Sequence, residues 1–133
     1  MTRDTGVAIH SDALLGKRVL LAISGGIAAV ESVRLARELR RHQADLTVIM
    51  SEEATKIITP LAVSWGSDTI VHQGWASEMS QLDHFDVTLI APATRNTISK
   101  HVHGIMDSPL LMALSASRGR KSKLCFVPSM HTD

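Results

Sequence analysis

The run Val19-Leu20-Leu21-Ala22-Ile23-Ser24-Gly25-Gly26-Ile27-Ala28-Ala29 constrains this chain more than any other segment. An apolar stretch stops at Ser-Gly-Gly and restarts toward Val30-Glu31-Ser32-Val33-Arg34. That pattern predicts a buried strand, a tight turn and a helix. The turn leaves backbone N–H groups at the helix start without intrahelical partners. They point past the strand end. Together with the positive end of the helix dipole they suit a phosphate. The first expectation is therefore a nucleotide or cofactor phosphate site.

The rest of the chain repeats strand and helix signals. Strands are expected at 18–24, 45–51, 69–71, 87–91 and 123–127. Helices are expected at 27–41, 52–58, 75–84, 97–103 and 109–117, with Pro60 read as punctuation and Ser108-Pro109 as a cap followed by proline at the first helical position. Two strands joined by a helix of this length form a parallel unit with a right-handed crossover. The alternation predicts a three-layer α/β domain, a parallel sheet flanked by helices. Arg34, Arg37, Arg40 and Arg41 crowd the C-terminal half of the first long helix, where cations suit the dipole and a solvated face is the ordinary reading.

At 133 residues the chain is expected to be one domain, residues 17–133, behind a loose polar arm at 1–16. A net charge of +1 gives no reason to expect nucleic-acid binding, and neither does an aromatic set of two Trp, two Phe and no Tyr. The single cysteine excludes an internal disulfide and suits a reducing, cytoplasmic setting. No apolar run reaches membrane-spanning length, and Met1 to Asp12 lacks a secretory apolar region, so no membrane partner is expected. No metal site is expected either: His101 and His103, two apart, do not share a helix face.

Open parallel sheets bind ligands outside the carboxyl ends of their strands. Four such ends are rich in small residues and hydroxyls: Ser24-Gly25-Gly26-Ile27-Ala28, Ser51-Glu52-Glu53-Ala54, Ala91-Pro92-Ala93-Thr94-Arg95-Asn96-Thr97, and Pro128-Ser129-Met130-His131. Each has an ordinary alternative. Gly-Gly serves as a plain turn, and Ser51, Thr94 or Asn96 as helix caps. A dinucleotide fingerprint would need Gly-x-Gly-x-x-Gly and an acid at the second strand end, and a P-loop would need Gly-Lys-Ser/Thr; neither pattern is present.

These segments, in this order, resemble the flavin mononucleotide (FMN)-dependent cysteine decarboxylases. That family includes phosphopantothenoylcysteine decarboxylase and the enzymes that decarboxylate the C-terminal cysteine of ribosomal peptides. Ala-Pro-Ala-Thr-x-Asn-Thr carries most of the resemblance, with Ile58-Thr59-Pro60, Ile98-Ser99-Lys100 and Gly104-Ile105-Met106-Asp107 beside it. The resemblance implies a flavodoxin-like fold, FMN as cofactor, and a homo-oligomer built from trimers with flavin at subunit contacts. It implies that Ser24, Gly25, Gly26, Ile27 and Ala28 hold the phosphate end, with Ser51 reaching the same group. It sets Ala91, Thr94, Arg95, Asn96 and Thr97 beside the flavin, and Ser129 and Met130 near the ring. It implies a substrate with a terminal cysteine. Loss of hydride from the β carbon and a proton from sulfur gives a thioaldehyde, which accepts the electrons released with carbon dioxide.

Three departures bear on the substrate. The family histidine before the fourth strand falls on Glu78 or Gln81, neither of them histidine, and nearby His84 is the candidate substitute. The family Pro-x-Met-Asn reads Pro128-Ser129-Met130-His131, so His131 is a candidate carboxylate ligand or proton carrier. The family's C-terminal clamp segment does not follow, and Cys125, inside the last strand, is expected to be a small core residue. The first two changes weigh against the pantothenate substrate. The leading expectation is thus an oxidative decarboxylase of a peptide's C-terminal cysteine, giving an aminoenethiol. Phosphopantothenoylcysteine decarboxylation in coenzyme A biosynthesis is the second, and an FMN-binding redox or regulatory protein without that activity the third.

Overall fold

The structure, a computed structural model, describes residues 5–73, 84–119 and 122–128. Five parallel strands form one sheet in the order β3-β2-β1-β4-β5. They are β1 Arg18–Ile23, β2 Asp45–Met50, β3 Val71–His72, β4 Val87–Ala93 and β5 Lys123–Pro128. β1 lies in register between β2 and β4, with Leu21 opposite Val48 on one side and Leu89 on the other. The three-layer α/β architecture expected from the alternation is what forms.

The apolar runs are explained by burial on both faces. Val19, Leu21 and Ile23 of β1 pack with Val48 and Met50 under α1 (Ser32–Arg41) and α3 (Pro60–Ser67). Leu20 and Ala22 turn the other way and pack with Ile49 and Ile90 under α5 (Pro109–Gly119). Every residue from Val19 to Ile23 is buried, as a central strand of a doubly covered parallel sheet must be.

Several boundaries differ from the sequence expectation. Residues 27–41 split into a 3-10 turn, Ile27–Glu31, and then α1. Pro60 does not punctuate but starts α3: the Thr59 hydroxyl accepts from Ala62 N at 3.1 Å, and proline occupies the first turn, where its missing N–H costs nothing. The third strand is Val71–His72 rather than 69–71, and β4 runs on through Pro92 to Ala93. The short α2, Glu52–Thr55, stops before Ile58. α4 is Arg95–Val102, two residues earlier than expected, because Thr94 caps it. The helix expected at 75–84 falls almost wholly outside the described residues. Cys125 is exposed on β5 rather than buried, because the strand alternates and its Leu124 and Phe126 take the inward side.

The α1 arginines are a solvated face only in part: Arg34 is exposed beside Glu31 and Arg41 pairs with Glu38 on the same helix, but Arg37 and Arg40 pack elsewhere. Arg40 donates to Gly66 O at 2.9 Å and pairs with Asp68 at 3.8 Å. Arg37 lies over the Trp65 ring and donates to Gly6 O at 3.0 Å. α1 and α3 approach so closely at Gly66 that a Cβ there would stand 2.9 Å from Val33 Cγ1.

The arm expected to be loose is tied down over its described part. His10 N donates to Arg41 O and Leu14 N to His42 O, at 2.8 and 2.9 Å. These bonds satisfy carbonyls that the end of α1 leaves without helical partners.

Candidate functional site

The rim at the carboxyl ends of β1, β2 and β4 gathers three of the four segments singled out above. In the first, Gly26 caps the 3-10 turn in extended geometry, and Ala29 N is the first amide to bond back, to Gly26 O at 2.9 Å. Gly26 N donates to Ser24 O at 3.0 Å. The turn therefore leaves the amides of Gly25, Ile27 and Ala28 as donors it does not use itself. Gly25 and Gly26 are half-buried; Ile27 and Ala28 are exposed.

Gly25 is required by proximity. A Cβ on it would stand 2.4 Å from Glu53 Cβ and 3.2 Å from the Glu53 carbonyl carbon. The turn after β1 thus lies against the start of α2, which Ser51 caps by accepting from Ala54 N at 3.1 Å. That bond uses a lone pair of Ser51 and leaves its O–H hydrogen to donate outward. Both readings of Ser51, cap and ligand, are compatible.

The third segment is held by Thr94. Its hydroxyl accepts from Thr97 N at 3.3 Å and donates to Thr97 Oγ1 at 3.0 Å. Thr97 is buried, while Arg95 and Asn96 are exposed in the first turn of α4. Ala91, the cofactor candidate on β4 three residues before Thr94, is buried. Ser24 joins this loop to the first: its hydroxyl donates to Pro92 O at 2.5 Å and accepts from Thr94 N at 3.1 Å.

Two hollows flank the rim. One, about 340 Å³, is lined by Ser51, Glu52, Asn96, Thr97, Lys100 and Ser108 among others, on the α4–α5 side. Lys100 Nζ pairs with Asp107 Oδ2 at 2.9 Å at its edge. The other, about 320 Å³, is mostly apolar, with Ala28, Ser32, Leu35, Ala91, Pro92 and Val127 around it. Sequence reasoning missed Ser32 and Leu35. Ser32 is buried, and its Oγ has no hydrogen-bond partner among the described residues. Lys100 and Asp107 were part of the resemblance, but nothing in the sequence said that they pair.

These features fit a flavin nucleotide. The amides of Gly25, Ile27 and Ala28 suit a phosphate, the hydroxyls and the Asn96 amide suit a polyol, and an apolar trough with one orphaned hydroxyl suits a flat heterocycle.

The candidate catalytic residues fare differently. His84 is exposed and precedes the first residue of β4, at the opposite end of the sheet from the rim. A seven-residue strand separates it from the rim by on the order of 20 Å, so one chain does not bring it to its own candidate site. Ser129, Met130 and His131, with Glu78 and Gln81, lie outside the described residues. A histidine not singled out for the site, His101 of α4, is buried against Phe126 with ring centroids 5.6 Å apart. Its pKa is held below the ordinary histidine value, first by desolvation and second by the Arg118 charge.

Residues 7–133 match the flavoprotein family. The chain is 40% identical over 134 residues to the coenzyme A biosynthesis bifunctional protein CoaBC of Thermococcus kodakarensis, covering 94% of this chain and 32% of that protein. It thus spans about a third of that relative's length. Among solved structures, the FMN-dependent cysteine decarboxylase SpaF superposes with a TM-score of 0.75 at 24% identity, covering 90% of this chain and 72% of that one. A PPC decarboxylase mutant complexed with pantothenoylaminoethenethiol superposes with a TM-score of 0.71 at 22% identity, covering 87% and 68%. At these identities the structural likeness speaks to the fold. Among the described residues, no helix is long and apolar enough to cross a membrane.

Proposed function

The chain belongs to the flavoprotein family, and from that premise we propose that it binds FMN and decarboxylates phosphopantothenoylcysteine. The observation that carries the choice of substrate is the 40% identity, along 94% of the chain, to a coenzyme A biosynthesis protein. The peptide substrate, ranked first from the sequence, gives way here. That ranking rested on substitutions at positions 78 or 81 and 131, a few sites set against an identity that runs along 94% of the chain. The reading concerns one step only, since the chain matches a third of a bifunctional relative.

FMN is the cofactor. The amides of Gly25, Ile27 and Ala28 and the Ser51 hydroxyl would hold its phosphate. Asn96 and Ser108 would bond the polyol, and Ala28, Ala91 and Pro92 would wall the ring, with Ser32 and Glu31 as the polar residues there. When bound, FMN supplies the two-electron acceptor that makes a cysteine carboxylate able to leave as carbon dioxide. The chain's own residues orient the cofactor and exclude water. His131 is the candidate to hold the substrate carboxylate or carry a proton. The exposed apolar Ile27 and Val30 at the cradle support self-association; the family resemblance implies a homo-oligomer built from trimers.

The test has two stages. The purified protein is expected to be yellow, or to quench FMN fluorescence on titration. Incubation with phosphopantothenoylcysteine is then expected to give, by mass spectrometry, a product that has lost carbon dioxide, with a cysteine-terminated peptide left intact. Preferential reaction of the peptide reverses the ranking. Reaction of neither leaves an FMN-binding redox or regulatory protein.

A further inference from the structure

The geometry points to Ser24 as a positioning residue that ties the phosphate cradle to the Thr94–Thr97 loop, and not as a phosphate ligand; we propose this on top of the flavin reading above. A phosphate at the cradle must be met by donors. Ser24 has two, its backbone N–H and its hydroxyl hydrogen. Both go to one acceptor: the N–H reaches Pro92 O at 3.3 Å and the hydroxyl reaches it at 2.5 Å. What the hydroxyl has left is lone pairs, and one of these accepts from Thr94 N at 3.1 Å. A phosphate oxygen gains nothing from a lone pair. Ser24 is also 1% exposed, so a ligand reaches it only by prising the two loops apart.

The consequence lies at the far end of these bonds. Thr94 is the cap of α4, and its hydroxyl is already engaged with Thr97. Its backbone N–H is held by Ser24 alone among the described residues. The Ser24 hydroxyl therefore fixes where α4 begins, and with it where Asn96 stands in the 340 Å³ cleft. It does so relative to the Gly25 turn, which is itself lodged against Glu53. The two ends of one ligand site are held by one buried hydroxyl. Residues 24 and 94 are far apart in sequence, which makes this the tertiary counterpart of a helix cap.

The experiment compares Ser24→Ala and Ser24→Thr with the wild type, using FMN and riboflavin as paired probes and amide hydrogen exchange at Thr94 as a third readout. Loss of a buried tie of this kind is expected to weaken binding on the order of tenfold. In Ser24→Ala, FMN and riboflavin affinities should fall by the same factor, because the defect lies in the frame and not at the phosphate. The Thr94 amide should exchange faster, with the Ala22 and Leu21 amides unchanged. Ser24→Thr keeps the hydroxyl and should restore Thr94 protection. A loss confined to FMN, with riboflavin unaffected, makes Ser24 a phosphate ligand and overturns the proposal. So does unchanged Thr94 exchange in Ser24→Ala, or unchanged affinity for both flavins. If the wild type binds neither flavin, the flavin reading fails, and with it the part of this proposal that concerns ligand binding. The tie itself is still judged by Thr94 exchange, which needs no ligand.

Discussion

The two ends of this sheet use the same residue types to opposite effect. At the amino end of the strands, where α1 finishes, hydroxyls, imidazoles and guanidinia are paired with one another. His42 bridges Ser11 Oγ at 2.6 Å and Glu38 Oε1 at 3.2 Å, and Gln43 Nε2 donates to Ser11 O at 3.1 Å. At the carboxyl end, serines and threonines also cap and tie, but glycine and alanine expose backbone donors that the turn does not use, beside two hollows. A polar cluster that closes on itself holds a fold. A polar cluster built around small residues, with donors left over, holds something else. Counting histidines or arginines would have chosen the wrong end.

The sharpest way to break this contrast is Gly25→Ala. The added methyl meets Glu53 Cβ at 2.4 Å, against a neighbour fixed in a helix start. Overpacking of this kind costs about 1–3 kcal/mol, and because the displaced atoms are the cradle itself, flavin binding should be lost along with it. Denaturant unfolding and FMN titration measure the two effects separately. Normal FMN affinity in a stable Gly25→Ala protein would remove the turn from the site.

His42→Ala probes the other end. It removes the ring's bond to Ser11 of the arm and its contact with Glu38 on α1, and a lost hydrogen bond of this kind is worth about 0.5–1.5 kcal/mol. FMN affinity should be unchanged. A change in affinity would mean that the two ends are coupled through α1 and that the contrast drawn above is false.

The smallest effect is a pH dependence. His101 sits between the polar cleft and β5, and burial holds its pKa below 6.5. In the pH range between the lowered folded value and 6.5, the unfolded chain binds the proton more readily than the folded one. Stability is therefore full above pH 6.5 and declines as the pH falls toward and through the folded value. His101→Gln, which cannot take up a proton, should flatten that part of the profile in a series of melts from pH 7 to pH 5. An unchanged slope would assign the acid sensitivity to other groups.

Much of this was legible in order along the chain. The doubly buried run at Val19–Ile23, the Ser-Gly-Gly turn and the Ser108-Pro109 start of α5 are local signals, and local physics decided them. The Thr59-Pro60 start of α3 was just as local and was misread, because proline was taken as a stop when its place after a threonine cap made it a start. The buried expectation for Cys125 failed for a different reason: an edge strand has one face that no helix of its own chain is bound to cover.

Sequence by itself determined the alternation of strands and helices, the parallel sheet and the rim on which small residues and hydroxyls collect. Each follows from hydrophobic period and from backbone preferences a few residues long. Only the tertiary structure decided what each hydroxyl does. Whether Ser24 meets a ligand or Pro92, and whether Lys100 is free or paired with Asp107, depend on neighbours that the local pattern does not name. A hydrogen bond is a matter of ångströms and angles, and no residue carries those in its name.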